Sequence, residues 1–470
     1  MPATESIAPI YPAGMLGPLP YLRREPLSFL FKAAERCGEV TRVEFAFKPH
    51  VAHLIRHPLD VEHVLVSNAR NYVKQTRGYE KLRLVLGEGL VTSDGEFWKR
   101  QRRIAQPAFH RERIARLAPV MTAAAEEMLA QWEPRVGTGQ PLDVAEEMSR
   151  LTLKIIGQTM LSNDVSTEAS EIGPAVTVAL AHAIRRTTNV LSLPEVFPTP
   201  NNLLFRRSLD TLDRVCLGMI AERRKDGQDR GDLLSMLMAA RDEETGEGMT
   251  DRQLRDEVMT IFLAGHETTA NALSWTFYLL SLHPEIEARL REELDQVLGG
   301  RPPRMEDLPK LPYVDQVLKE AMRLYPPVWM IARRSIDEDV LGGFKIPAGT
   351  FVFMSPYLTH RHPEYWPNPE GFDPSRFAPG KLERLPRCAY FPFSKGPRMC
   401  IGDQFALLEG RLVLATVLQR VRLSLVPGYV ANPLPTVTLR LKDGLRMTLT
   451  SVERKATVHA MPEPQPQAVA

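Results

Sequence analysis

Cysteine is scarce in this chain. Cys37, Cys216, Cys388 and Cys400 are the only four in 470 residues, and no two form a C-x-x-C pair. That excludes a disulfide scaffold, and His360 and His362 upstream of Cys388 do not complete a zinc-type cluster. Such sparse cysteine fits a reducing cytosol, where each thiol is either inert core or chemically special. Long apolar runs are lacking too. No stretch approaches the roughly 20 residues needed to cross a bilayer, and the N-terminus has no positive segment leading into an apolar one, so no transmembrane anchor or secretory signal is expected. The expectation is a soluble, cytoplasmic protein. A formal charge of +2 is too small to argue for a nucleic-acid partner.

Internal repeats are absent, and no linker interrupts the chain before its last dozen residues. A single domain over 1–457 and a disordered, Pro-rich tail over 458–470 are expected. Residues 40–56 read as two short strands around Lys48-Pro49. From about 95 to 325 apolar residues recur at three- and four-residue steps, the mark of helices. Short strands follow over 330–355, then the irregular segment HRHPEYWPNPEGFDPSRFAPG, a helix from about 401 to 421, and strand-like PTVTLRLKDGLRMTLT. The pattern implies a mainly α fold with small β-sheets, not alternating βαβ units.

One helix stands out. Thr250 and Gln253 form a capping box that opens a run reaching His283, far longer than the usual 11–12 residues. Its centre, AGHETT over Ala264–Thr269, sets a glycine and two β-branched threonines where helix formers belong. Such a local violation in a buried helix marks a place where function often sits.

The second outlier is FSKGPRMCIG, Phe393–Gly402. An irregular loop with Gly396 and Pro397 delivers Cys400 to the start of an amphipathic helix, whose buried stripe is Ile401, Phe405, Leu408, Leu412 and Ala415. The helix N-terminus favours the thiolate form of Cys400, and Arg398 adds cationic character.

This decamer resembles the haem-binding signature of the cytochrome P-450 family, F-x-x-G-x-R-x-C-x-G, at Phe393, Gly396, Arg398, Cys400 and Gly402. Further signatures follow in family order from about residue 10 to 450. The resemblance implies a triangular, mainly α fold with haem b held between the long central helix and the cysteine-loop helix. It makes Cys400 the thiolate ligand of the iron. AGHETT is similar to the family's oxygen-activation motif, so Glu267 and Thr268 become an acid–alcohol pair that manages protons. Gly265 leaves room for dioxygen, and Ala264 lies against the haem. Trp98 and Arg102 match W-x-x-x-R, and with Arg398 and either Arg333 or its neighbour Arg334 they would hold the haem propionates. Glu320 and Arg323 match E-x-x-R and, with Arg376, form a structural triad.

The implied reaction inserts one atom of O2 into a lipophilic substrate, with electrons ultimately from NAD(P)H. The chain stops soon after the family's haem domain, so an acidic ferredoxin or flavodoxin with its own reductase is the expected donor. The basic run FWKRQRRIAQPAFHRER would attract it through Lys99, Arg100 and Arg103. Substrate contacts are expected from the 85–92 loop, residues 175–205 and, by name, Val91, Ala264, Val328, Met330, Ile331 and Val437. Bacterial fatty-acid and terpene hydroxylases are the nearest-looking relatives, with Lys48 and His50 as loose candidates for a fatty carboxylate. Rival readings are a peroxide-driven peroxygenase, a haem isomerase, and a haem carrier or sensor without turnover.

Overall fold

A computed structural model describes residues 6–12, 18–45, 51–161, 166–188 and 193–452. Lys48, His50 and the 458–470 tail lie outside them. The apolar alternation of the early strands pairs β1 (Val40–Glu44) with β2 (Val51–Ile55) in an antiparallel hairpin, Val40 opposite Ile55. The short strand β3 (Tyr72–Val73) and helix α1 (Arg77–Leu86) follow. The helical region then runs through α2 (Gly95–Ala105), α3 (Ala118–Trp132), α4 (Val144–Leu161), α5 (Ser166–Thr188), α6 (Pro200–Asp226) and α7 (Leu233–Ala239).

The long helix α8 (Asp251–Leu282) has 32 residues, and its capping box forms as the sequence implies: Thr250 and Gln253 each satisfy the other's backbone N–H. It lies at the centre of the fold, packed against α4 and α6, and against α9 (Pro312–Leu324) and α10 (Asp403–Leu418), which follow it in the chain. Its backbone groups are satisfied within the helix itself, and polar side chains add ties to its neighbours. Ser149 and Thr152 of α4 supply two of them, bonding the His266 ring at 2.9 Å and the His266 carbonyl at 3.0 Å.

Two later strands, β4 (Ile331–Ser335) and β5 (Phe351–Met354), complete a five-stranded sheet in the order β1-β2-β5-β4-β3. Only the β2–β5 pairing is parallel, Ala52 opposite Phe351. The strand pair β6 (Pro433–Pro435) and β7 (Leu439–Leu441) reaches back to α8, where the Trp275 indole donates to the Leu439 carbonyl at 2.9 Å.

The irregular segment after β5 is held by the triad. Glu320 and Arg323 are 0 % exposed. The guanidinium grips both carboxylate oxygens at 2.7 and 2.8 Å and donates to the carbonyls of His360, Pro369 and Gly371 at 2.7–3.0 Å. Arg376 adds an ion pair to Glu320 at 3.3 Å.

Candidate active site

Between α8 and the Cys400 loop lies a cavity of about 660 Å³ with mostly apolar walls. The loop reaches its position through backbone conformations that side chains would block. Gly396 has φ +70°, and a Cβ there would lie 2.0 Å from the Leu65 carbonyl. The Cys400 amide bonds the Phe393 carbonyl at 2.9 Å, closing the loop. Phe393, Cys400 and Gly402 all border the cavity, and Gly402 is the residue from which α10 starts.

The Gly402 amide donates toward the Cys400 sulfur, Arg102 lies near it, and the side chain is exposed on the cavity side of the loop. A metal cation facing the sulfur would hold it as the thiolate.

At one end of the cavity stand four cations: Lys74, Arg102, Arg333 and Arg398. Arg398 lies 3.7 Å above the Trp98 ring and donates to the Ser93 carbonyl at 2.8 Å and to Asp94 at 2.5 Å. Arg102 donates to the Met399 carbonyl at 2.9 Å, tying α2 to the cysteine loop. Strand alternation decides between the two arginines of β4. Arg333 points inward, 4 % exposed, toward the Tyr79 hydroxyl at 3.3 Å, whereas Arg334 faces solvent. Lys74 caps the Leu90 and Val91 carbonyls at 3.2 and 3.0 Å. Burial and the neighbouring arginines drive its ammonium well below the usual lysine range, and burial brings Arg398 down to about 10. Among the described residues, only Arg398 of the four has an ion-pair partner, Asp94. Lys74 and Arg333 are buried, Arg102 and Arg398 half-buried, and positive charge so placed is costly unless an anion answers it.

On the opposite wall, Ala264 and Thr268 of α8 face the cavity. The Thr268 hydroxyl donates to the Ala264 carbonyl at 2.5 Å, a back-bond that loosens the helix locally. Glu267 is elsewhere. Its carboxylate is held by Thr438 and by Arg440 of β7, and it does not line the cavity, so the acid and the alcohol are adjacent in sequence but turned apart. Gly265 lines the cavity as well, and a Cβ there would meet the Ile156 side chain of α4 at 2.5 Å, so its missing side chain also admits a neighbouring helix. From α10 the buried Glu409 faces Thr269, and desolvation holds its carboxyl well above the usual range. Val91, Val328, Met330, Ile331 and Val437 all line the cavity with Ala264. None of Glu320, Arg323 and Arg376 does.

Residues 8–444 match the family model described as Cytochrome P450. The chain belongs to the cytochrome P450 family. Among curated relatives, Cyclooctatin synthase of Streptomyces melanosporofaciens is 40% identical over 420 residues, covering 89% of this chain and 90% of its own. Pentalenene oxygenase of Streptomyces avermitilis is 36% identical over 431 residues, with 92% and 94% covered. Among solved structures, the cytochrome P450DA heme domain superposes with a TM-score of 0.87 at 29% identity, covering 95% of this chain and 98% of that one. The protein is thus a P450 monooxygenase with the P450 fold.

The P450 family implies a haem with a cysteine thiolate on its iron, and the residues present fit one. A flat dianionic group would answer the cations lacking ion-pair partners, and a metal facing Cys400 would supply the charge that its thiolate needs. Lys74, Tyr79 and Asp94 are not legible in the sequence because NYVKQT, RGYEK and SDGEF carry no periodicity that singles them out.

The basic run is partly paired within the chain. Arg103 is bound to Asp242 at 2.7 Å and to Glu244 at 2.8 Å, and Arg100 to Glu247 at 3.2 Å. The acidic loop after α7 folds onto α2 and occupies these cations, and Arg103 holds the Asp242 carboxyl down at about 2. Lys99 stays at the surface, and among the described residues its one ion pair is with Glu96 of its own helix. Among the described residues no helix is long and apolar enough to cross a membrane, and no three His, Cys, Asp or Glu side chains cluster as a metal site.

Proposed function

We propose that this P450 inserts one oxygen atom from O2 into an uncharged polycyclic terpenoid, with Cys400 as the iron ligand. When bound, the haem supplies oxygen activation, helped by electron density from the thiolate. Lys74, Arg102, Arg333 and Arg398 hold the two propionates, and Trp98 buttresses Arg398 from below. Thr268 is the hydroxyl that holds a proton at the cavity face of α8. Glu267, tied to Arg440 and Thr438, exchanges protons from behind that face, on the side of the partly exposed Arg440.

The observation that carries this reading is the cavity itself: a cysteine sulfur on one wall, an excess of cations at one end, and apolar side chains elsewhere. Val91, Ala264, Val328, Met330, Ile331 and Val437 make a wall with no charge among them, which suits a hydrocarbon skeleton better than a fatty carboxylate. The names of the two Streptomyces relatives point the same way. Electrons come from NAD(P)H through a separate acidic ferredoxin or flavodoxin with its reductase, docking near Lys99, in a cytoplasmic setting consistent with four free thiols.

A spectral screen tests the substrate class. Cyclic terpene hydrocarbons and alcohols should shift the haem band and yield oxygenated products with a surrogate donor. Tight binding of fatty acids with no response to terpenes would refute the assignment.

A further inference from the structure

The wall that carries Leu90 and Val91 is a strap, Gly87–Ser93, laid along α8 and pinned from both sides. From α8, Asp256 accepts the Glu88 amide at 2.8 Å and Glu257 accepts the Leu90 amide at 3.2 Å. The approach is close: a Cβ on Gly87 would lie 2.2 Å from the Asp256 carboxylate, and one on Gly89 would lie 2.0 Å from the Thr260 hydroxyl. On the far side Lys74 holds the Leu90 and Val91 carbonyls, and Arg398 holds that of Ser93. Leu90 and Val91 present their side chains to the cavity.

The two carboxylates are not equivalent. Asp256 is braced by Arg255, which also grips the Val85 carbonyl and Asp213 of α6. Glu257 is 1 % exposed, bonds one amide, and leaves its second oxygen buried without a partner. It is the adjustable half of the clamp.

We propose that Glu257 is a positioning residue for the substrate chamber: its bond to the Leu90 amide sets where the Leu90–Val91 wall stands, and so governs substrate affinity and not the rate of oxidation. The proposal rests on reading the cavity as the substrate chamber. The groups facing Glu257 are Asp256 on its own helix and Lys74 across the strap. Behind these stand Arg255 with Asp213, and Arg333, Arg398 and Asp94 around Lys74. Burial pushes the Glu257 carboxyl up to about 8. It is therefore mostly neutral at pH 7 and ionised at pH 9. An ionised carboxylate accepts the stronger hydrogen bond, so the clamp tightens as pH rises through that window.

The test uses the holoenzyme, with β-caryophyllene as an uncharged polycyclic probe. Hydrogen exchange of the 87–93 segment, the probe's dissociation constant and the rate at saturation are followed at pH 7 and pH 9. Glu257→Ala should weaken binding about fivefold to tenfold, the scale of one buried hydrogen bond. It should also speed exchange at Leu90 and leave the saturated rate unchanged. Glu257→Gln, which keeps an acceptor for the amide, should restore wild-type binding at pH 7 and abolish the tightening at pH 9. Wild-type affinity and exchange in Glu257→Ala would overturn the proposal, as would pH-dependent tightening that survives in Glu257→Gln and so belongs to Lys74. If Glu257→Ala does not fold, the pH dependence of Glu257→Gln decides alone. Failure of the wild-type protein to bind the probe would instead count against the chamber, while exchange at Leu90 still reads the clamp.

Discussion

Replacing Arg323 by alanine removes one guanidinium but five hydrogen bonds, two to Glu320 and three to backbone carbonyls of the irregular segment. Both members of the pair are 0 % exposed, so no water takes over. Breaking a buried pair by removing one partner costs about 3–5 kcal/mol, chiefly because the other charge stays behind. Here the residual cost is reduced because Glu320 can take up a proton, as burial already raises its carboxyl, but three orphaned carbonyls add to it. We expect a loss of about 4 kcal/mol, a large share of the roughly 5–15 kcal/mol that holds a domain folded. The assay is denaturant unfolding of Arg323→Ala, Glu320→Leu and the double variant Glu320→Leu/Arg323→Leu. The double variant should cost at least about 2 kcal/mol less than the sum of the singles, since it leaves no unpaired charge. Probe affinity in the folded fraction should not change, because neither residue lines the cavity. A single-variant loss under about 1 kcal/mol, or strict additivity, would refute the reasoning.

Further outcomes follow from the site and its surroundings. Thr268→Ala should lower the product formed per O2 consumed while leaving the probe's dissociation constant within about twofold; unchanged coupling would favour a peroxide-driven route. Burial holds His53 and His266 at about 4, below their ordinary 6.5. Depressed histidines of this kind stabilise the fold above the ordinary value, and that stability is lost as pH falls through about 6.5 toward 4. The unfolding midpoint of His53→Gln should accordingly fall less steeply than that of wild type between pH 7 and pH 5. Lys99→Glu should raise the donor's apparent KM severalfold at low ionic strength and lose that effect near molar salt, whereas Arg103→Glu should lower the melting temperature because it breaks the Asp242 and Glu244 contacts.

Much of the fold was legible because strong local signals agree with it. The capping box at Thr250, the apolar steps of α4 and the hairpin strands around residues 40–56 each depend on nearest neighbours. The cysteine loop was legible for the same reason, since Gly396, Arg398, Cys400 and Gly402 lie within one short segment. What was not legible depends on pairings distant in sequence. Glu267 turns to Arg440, 173 residues on. The approach of Ile156 to Gly265 comes from another helix. Arg100 and Arg103 read as a free basic face until the loop carrying Asp242, Glu244 and Glu247 is seen to fold over them. Lys74 and Glu257 sit in segments of ordinary composition, and only the approach of the strap to α8 gives them a task.

The central claim is that Cys400 binds haem iron through its sulfur, with the cations of the cavity answering the propionates. The direct measurement is the absorption spectrum of the reduced, haem-loaded protein under carbon monoxide, for wild type beside Cys400→His. The account expects the strongly red-shifted band of a thiolate-ligated carbonyl complex in wild type, replaced in Cys400→His by the shorter-wavelength band of an imidazole-ligated haem. The imidazole-type band in wild type, or a red-shifted band that survives in Cys400→His, would contradict it.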